Sequence, residues 1–575
     1  MADGSQGFRF GTYEADPLAR ELRRHKTRIK LYGQPFAVLM LLLERAGEVV
    51  TREELRQKLW PADTYVDFEH GVNTAVKKLR QALSDSAGEP RFVETLPRVG
   101  YRFLAPVERI APAKKQRVML VVLPFENLSN DPEQEYFSDG LTEETITALG
   151  QLASSRHGVI ARTSAMAYKR TRKSITEIGH ELGIDYALEG SVRRDGTRVR
   201  ISAQLVRASD QTHLWAQNYN RELKDFLSVQ GELGRAIAAQ VQIKLTPSSR
   251  PTAGARAVNA EAYDAYLHGR YHLNRATRPN IERAIEYFQQ ATEIDPCIAV
   301  AYAGLADAQV MLPLTSDAPS HQVMPKGKEA ARRALEIDPE LAEAHTAIAF
   351  ANFWYDWDWA NSEKRFCRAL ELNSNYSWAR YRYAHLLSNI GRHDEALGVV
   401  DAARELDPLS LIINTMCSQF RYQAARLDEA LALATRPLEL DPNFWVAHLN
   451  LSKIYAAMQR YDEALAEAEK ARVACGLSTE PLSLAGHAQA RLGHRVEAEK
   501  ALNELLAMRD ARYVPPYNIA RVYLGMGEHG KALEWLECAY AERDVRLAFL
   551  KVEPKWNPLR TDGRFKKLIR RVGFP

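Results

Sequence analysis

A chain of 575 residues and 65.0 kDa is too long for a single hydrophobic core and predicts several domains. Its composition, 46% hydrophobic and 26% charged, excludes a fibrous or largely disordered protein. The formal net charge of +4 is small, so any surface for a polyanion must be local. Five cysteines (Cys297, Cys367, Cys417, Cys475, Cys538) stand far apart without a CxxC pair, which predicts buried thiols in a reducing compartment rather than a disulfide framework or a zinc site. The first ten residues carry Asp3 and no apolar stretch of the signal-peptide kind. The longest apolar runs, 36–43 and 118–123, are far short of the ~20 residues that a membrane helix needs. The expectation is a cytoplasmic chain with no membrane partner.

From the N-terminus, residues 8–13 alternate as a strand does, and 28–31 do so weakly. Phe36, Leu39, Met40, Leu42 and Leu43 predict a buried helix that stops near Gly47. Thr51 followed by Glu54 is a capping box, which starts a second helix over 52–60 that ends at Pro61. After the loop 62–67 a third helix runs from Phe68 to about Ser84. Val72, Val76, Leu79 and Leu83 form its inward stripe, which leaves Asn73, Thr74, Lys77, Lys78, Arg80 and Gln81 on faces open to solvent or a ligand. Residues 92–96 and 101–104 then predict a hairpin with a basic tip. Strands, three helices and a closing hairpin make a winged helix-turn-helix. Within 1–109 there are 18 Lys+Arg against 15 Asp+Glu, so a plainly solvated basic face is the competing reading, and Arg80 can instead pair inside the domain.

The stretches VNTAVKKLRQAL and FVETLPRVGYRF resemble the effector domain of OmpR/PhoB-type response regulators, and are especially similar to the CadC-like variant. The resemblance implies a helix in the major groove of double-stranded DNA and a wing arginine in the minor groove. Carried over by position, Asn73 and Lys78 face base edges, Lys77 and Arg80 face phosphates, and Arg102 enters the minor groove, with Arg98 at the wing tip as a further phosphate contact. Ala75 stands where the family often has another basic residue. The family also implies side-by-side binding, as a dimer, on direct repeats and a contact to RNA polymerase from loop 62–67. Only seven residues precede the first strand, so no receiver domain or phosphoacceptor aspartate is expected there, although relatives usually belong to phosphorelays.

Residues 110–117 read as a polar, basic linker where CadC-like proteins carry a membrane helix. The run 118–123 predicts a strand buried on both faces. A helix over 141–152, a strand at 159–161, a helix over 175–182 and a hairpin turning at Asp195-Gly196 follow, with a third strand at 214–219 and a helix over 226–245. VLPFENLS, FSDGLTEE and the hairpin sequence resemble the TolB amino-terminal domain found in bacterial regulators and some adenylate cyclases. No cyclase catalytic domain is recognised, and no GxGxxG, P-loop or GxSxG motif occurs. The prediction is therefore not an enzyme, without cofactor or metal. Ser138-Asp139-Gly140 reads as a strand-to-helix turn, or else as an anion cradle.

A Pro/Ala/Gly linker near 250–256 precedes an internal repeat. Ala396, Ala430, Ala464, Ala498 and Ala532 are each 34 residues apart, Ala403, Ala471 and Ala539 lie seven residues behind three of them, and Asp-Pro pairs end at Pro296, Pro339, Pro408 and Pro442. This is the period and anchor pattern of tetratricopeptide repeats, about eight of them, with residues 555–560 onward as a cap. A protein or peptide partner on the concave face is expected. The aromatic run 353–359 reads as the packed turn of one repeat, with a ligand cradle as the alternative. His268 and His272 lie one turn apart without a third metal ligand. The whole predicts a multidomain chain: a winged helix-turn-helix (α+β, 1–109), an α/β TolB-like domain (118–250) and an all-α tetratricopeptide superhelix (251–575). The leading reading is a DNA-binding transcriptional regulator with a protein input; the alternative is a repeat scaffold with auxiliary DNA attachment, linked to phosphorelay-type signalling.

Overall fold

The computed structural model describes residues 7–16, 21–24, 27–29, 31, 33–59, 68–110, 117–129, 131–153, 157–196, 198–222, 236, 259–275 and 277–575. The chain divides into two compact units, Met1–Arg117 and Val118–Pro575. The loop 62–67, the linkers at 111–116 and 250–256 and, but for residue 236, the helix expected over 226–245 lie outside the described residues.

In the first unit the elements run β1 (Gly7–Phe10), β2 (Tyr13–Asp16), β3 (Glu21–Arg24), β4 (Thr27–Ile29), α1 (Gln34–Glu44), β5 (Val49–Thr51), α2 (Arg52–Leu59), α3 (Phe68–Leu83), β6 (Val93–Leu96), β7 (Gly100–Phe103) and β8 (Glu108–Ile110). The single strand expected over 8–13 is a hairpin, because the chain turns back at Gly11. Its sheet is antiparallel in the order β4-β3-β2-β1-β8, and β8, which the sequence did not announce, closes one edge. A second sheet, β5-β7-β6, contains the wing hairpin. Phe10, Tyr13, Phe92 and Phe103 meet ring to ring between the elements, and Tyr13 donates its hydroxyl hydrogen to the Leu83 carbonyl at 2.8 Å, which pins the end of α3. A Cβ on Gly100 would lie 2.0 Å from the Val50 carbonyl oxygen, so only glycine lets β7 approach β5 this closely.

The second unit begins with β9 (Val118–Val122), β10 (Glu126–Asn127), α4 (Glu135–Leu152), β11 (His157–Val159), α5 (Arg162–Met166), α6 (Ile175–Leu182), β12 (Tyr186–Asp195), β13 (Arg198–Arg207) and β14 (His213–Glu222). The sheet order is β11-β9-β12-β13-β14, parallel around β9 and antiparallel from β12 onward, with β10 beside β12. Ser138, Asp139 and Gly140 are neither a turn nor an anion cradle. They sit inside α4, Asp139 pairs with Lys169 Nζ at 2.5 Å, and a Cβ on Gly140 would come within 2.6 Å of Leu267 in the first repeat helix.

Eight helix pairs follow: 260–273 with 278–294, 299–315 with 320–337, 342–351 with 359–372, 377–389 with 393–406, 411–423 with 427–440, 445–457 with 461–474, 480–491 with 495–511, and 516–525 with 529–541. The second helix of the fifth pair is broken at Thr435, one residue after Ala434. The five alanines spaced by 34 residues are fully buried, as are Ala403, Ala471 and Ala539, so close helix contact explains why these positions are small. The aromatic run is packed: Phe353 and Trp354 are fully buried in a π-helical turn, and Trp359 stacks on Phe574 at 4.8 Å between centroids. His268 lies between the Tyr136 and Tyr287 rings, and His272 bonds Asn280 Oδ1 through Nδ1 at 3.0 Å.

The middle sheet and the repeats, expected as two domains, pack as one body. Glu143 on α4 pairs with Arg270, with Arg162 Nε at 3.2 Å and with Asn274 Nδ2 at 3.0 Å. Tyr266 donates to Glu144 at 2.8 Å, and Asp407 accepts from the Ser164 hydroxyl at 2.6 Å and the Ser164 backbone N–H at 3.0 Å. Backbone joins backbone as well, Ala161 N–H to the Leu406 carbonyl at 2.7 Å. Burial pushes the Glu144 carboxyl up to about 7 and the Asp407 carboxyl up to about 6. Both folded values lie above the unfolded ones, so the stability these groups contribute is complete below about pH 4 and is lost as pH rises through 6 and 7. The thermal midpoint of this unit is therefore expected to rise as pH is lowered from 8 to 5. Asp407→Asn, which keeps an acceptor for Ser164, is expected to flatten that slope in melts followed by circular dichroism.

Candidate DNA-binding surface

The capping box at Thr51 orients the surface. Thr51 N–H and its hydroxyl both donate to Glu54 Oε2 at 2.8 Å, and Glu54 N–H donates back to Thr51 Oγ1 at 3.2 Å. Arg45 Nη1 donates to the other carboxylate oxygen at 2.6 Å. This starts α2 directly after β5, so α2 leaves the sheet that also carries the wing. On α3 the stripe Val72, Val76, Leu79 and Leu83 is buried in the core, together with Ala75. Ala75 is thus a packing position, and its lack of charge removes no ligand contact from the exposed face.

Asn73, Thr74, Lys77 and Lys78 are exposed on the opposite side. Among the described residues neither lysine has a hydrogen-bond or ion-pair partner, so both ammonium groups face solvent unopposed. Asn73 is differently placed. Its Oδ1 accepts from Arg52 Nη1 at 3.2 Å and from the Tyr101 hydroxyl at 2.9 Å, and the Arg52 guanidinium lies 5.4 Å from the Tyr101 ring centroid. The asparagine therefore ties α3 to the wing strand and presents its Nδ2 donor rather than a free donor–acceptor pair.

The remaining cations separate into two kinds. Arg80 is half-buried and donates through Nη2 to the Val93 carbonyl at 2.7 Å and to Thr95 Oγ1 at 2.8 Å. Its expected internal partner, a carboxylate, is a carbonyl and a hydroxyl of β6 instead. Arg102 donates through Nε and Nη2 to Glu94 Oε2 at 2.8 and 2.7 Å across the β6–β7 pair, three residues from the tip. Arg98 stands at the tip between Pro97 and Val99, exposed, with φ +62° and no partner among the described residues. Val99, at 52% exposure, accompanies it. Between helix and wing lies an open cleft of about 370 Å³ lined by Arg52, Asn73, Lys77, Arg80, Thr95 and Tyr101. The arrangement puts unpaired cations on a groove-sized helix and on a protruding hairpin, with the arginines between them holding the two elements in register. Sequence reasoning missed Arg52 and Tyr101; the only sequence sign of their role is the position of Tyr101 directly after Gly100.

Residues 26–103 match the family model for the C-terminal domain of transcriptional regulatory proteins, and residues 115–235 match that for the second domain of HilA/YgeH-like transcriptional regulators. Residues 280–296 and 368–398 match tetratricopeptide repeat models. The first unit is thus a winged-helix DNA-binding domain of the OmpR/PhoB type, in a chain with the architecture of a DNA-binding transcriptional regulator that carries tetratricopeptide repeats. The transcriptional regulator HilA of Salmonella typhimurium is 26% identical over 391 residues, 67% of this chain and 68% of HilA. A Rhizobium meliloti protein named as an adenylate cyclase is 35% identical over 249 residues, 42% of this chain and only 41% of that relative's length. The solved DNA-binding domain of Klebsiella pneumoniae RstA, in complex with the RstA box, is 30% identical and covers 17% of this chain and 96% of that one, with a TM-score of 0.16. No helix of the described residues is long and apolar enough to cross a membrane.

The bonds from Thr51 and Arg45 hold the Glu54 carboxyl down at about 2, with the Thr51 backbone N–H the largest cause. Its folded value lies below the unfolded one, so what the capping box contributes is present above about pH 4.5 and is lost as pH falls through 2. A carboxyl titration followed by NMR is expected to show Glu54 with a midpoint near 2; Thr51→Val, which keeps the backbone N–H and Arg45, is expected to raise it only in part, and Arg45→Ala combined with Thr51→Val to raise it further.

Proposed function

We propose that the chain is a sequence-specific transcription regulator that reads DNA with α3 in the major groove and the β6–β7 wing in the minor groove, under control of a protein that engages the repeats. The observation that carries this reading is the pair of unopposed lysines on α3 beside a wing whose tip presents an unpaired arginine. A helix of this size fits the major groove, where donors read guanine and adenine edges, and lysines that neutralise phosphate add salt-dependent affinity. Lys78, Thr74 and the Nδ2 donor of Asn73 are the base-facing groups, and Lys77 is the phosphate contact. The minor-groove role assigned by position to Arg102 passes to Arg98, because Arg102 is held by Glu94 whereas Arg98 extends from the tip. Arg80 and Arg102 act as positioning residues. A contact from loop 62–67 to RNA polymerase, paired binding on direct repeats and a cytoplasmic site of action go with the same reading and rest on the OmpR/PhoB resemblance.

Binding measured by fluorescence anisotropy on a panel of duplexes tests the assignment. Lys78→Ala is expected to cost about 1–3 kcal/mol on preferred sites and to change base preference, whereas Lys77→Ala weakens all sequences alike and lowers the salt slope by about one. Arg98→Ala is expected to lose most affinity on sites flanked by narrow-groove A-tracts, and Arg102→Ala to show no dependence on the flank. Equal losses on every duplex for all four variants would remove the reading. For the control role, a chain ending at residue 117 is expected to keep DNA binding and to lose regulated output in a reporter assay; unchanged regulation would exclude the repeats as the input.

A further inference from the structure

The helix pairs close into a ring. Asp317, in the turn of the second pair, has a fully buried side chain that accepts from the Thr479 backbone N–H at 2.6 Å and the Thr479 hydroxyl at 2.8 Å, at the start of the seventh pair. The same carboxylate accepts from Arg546 Nη2 at 2.9 Å, beyond the eighth pair. From there residues 544–556 run through the ring rather than only closing its end, as the sequence suggested. Arg546 Nε lies 3.7 Å from Glu480. Phe549 meets the rings of Trp354 and His385 at 5.2 and 5.7 Å between centroids. Lys551 Nζ donates to the Ile390 carbonyl at 2.9 Å, and Glu553 accepts from the Tyr517 hydroxyl at 2.7 Å. One short stretch thus touches the second, third, fourth, seventh and eighth pairs.

The lining of this channel is not an ordinary core. Arg382 and Arg521 are 1% exposed, and His385 is 6% exposed. Both ring nitrogens of His385, the Nε atoms of Arg382 and Arg521, Asn389 Nδ2 and Asn518 Oδ1 have no hydrogen-bond partner among the described residues. Buried polar atoms without a partner are few in a core shaped solely for its own contents, although Arg382 also pairs with Asp307 at 2.5 Å and Arg521 with Ser483 Oγ at 2.7 Å. The buried ion pair of Arg546 with Asp317 also contributes little beyond its own desolvation.

We propose that the ring interior is a peptide-binding channel that the chain keeps closed with residues 544–556, and that its partner is a peptide that forms a short 3-10 turn, as residues 545–549 do, presenting an arginine and, three residues later, an aromatic side chain. The spacing is that of Arg546 and Phe549, which the channel grips through Asp317 and Glu480 on one side and Trp354 and His385 on the other. Tethering gives the resident segment a high effective concentration, so it excludes free peptides until it is loosened. The proposal rests on the repeats being the protein input of the regulator.

The test uses the full chain and a fluorescent peptide with the sequence of residues 543–557. Arg546→Gln combined with Phe549→Ala is expected to bind this peptide at least tenfold more tightly than the unaltered chain, and a peptide with the same two changes is expected not to bind. Equal affinity for both chains, with the helical circular dichroism of the variant preserved, would overturn the proposal. Should the variant unfold, hydrogen exchange on the unaltered chain decides: faster exchange in 544–556 than in helix 411–423 supports a displaceable segment, and equal protection makes it permanent core. The reporter assay on the chain ending at 117 is separate, so a lost input role and a permanently filled ring give different results.

Discussion

The carboxylate of Asp317 sets the form of the larger unit. A stack of helix pairs has no intrinsic end, because each pair buries its apolar face only against its neighbours. Here the second turn reaches the start of the seventh pair, and a single oxygen pair joins Thr479 to Arg546. Joining residues so far apart in sequence turns an open spiral into a ring, and a ring has an inside that must be filled. The polar side chains on the inner helices, from Arg382 to Arg521, are buried for that reason and not because they are hydrophobic.

The DNA-binding unit depends on a comparable division of labour among cations. Arg52, Arg80 and Arg102 are each engaged by a neighbour across an element boundary: α2 to α3, α3 to β6, and β7 to β6. These bonds, with the close approach of Gly100 to β5, fix the angle between helix and wing. Among the described residues Lys77, Lys78 and Arg98 remain unpaired and exposed. Base reading demands that the side chains be held to within fractions of an ångström, and the engaged arginines supply that fixity between helix and wing.

Much of this was legible in the sequence. The stripe on α3, the capping box, the β12–β13 hairpin and the 34-residue alanine spacing all follow from local periodicity, and local periodicity is what a sequence displays. Ala396 and its successors are fully buried because helix contact selects small residues at one phase of the repeat. What was not legible depends on partners distant in the chain. Arg102 lies in a motif that suggested a free cation, yet it is bonded to Glu94 on the neighbouring strand β6, a pairing set by strand register rather than by local sequence. Ser138-Asp139-Gly140 looked like a turn because serine, aspartate and glycine favour turns; they lie inside a helix instead, where Gly140 packs closely against the Leu267 side chain.

The seam between the middle sheet and the repeats follows the same logic and bears on how the chain can be divided. Glu144, Ser164 and Asp407 take their partners from across the seam, and Glu143 pairs with Arg270 across it as well as with Arg162 on its own side. A cut placed at the composition shift near residue 250 would leave Glu143 without Arg270 and Tyr266 without Glu144, exposing charged and aromatic surface on both fragments. The boundary that respects the hydrogen bonding is at 117, where the two compact units part. The middle sheet and the repeats thus form one continuous bonded body rather than two separable domains.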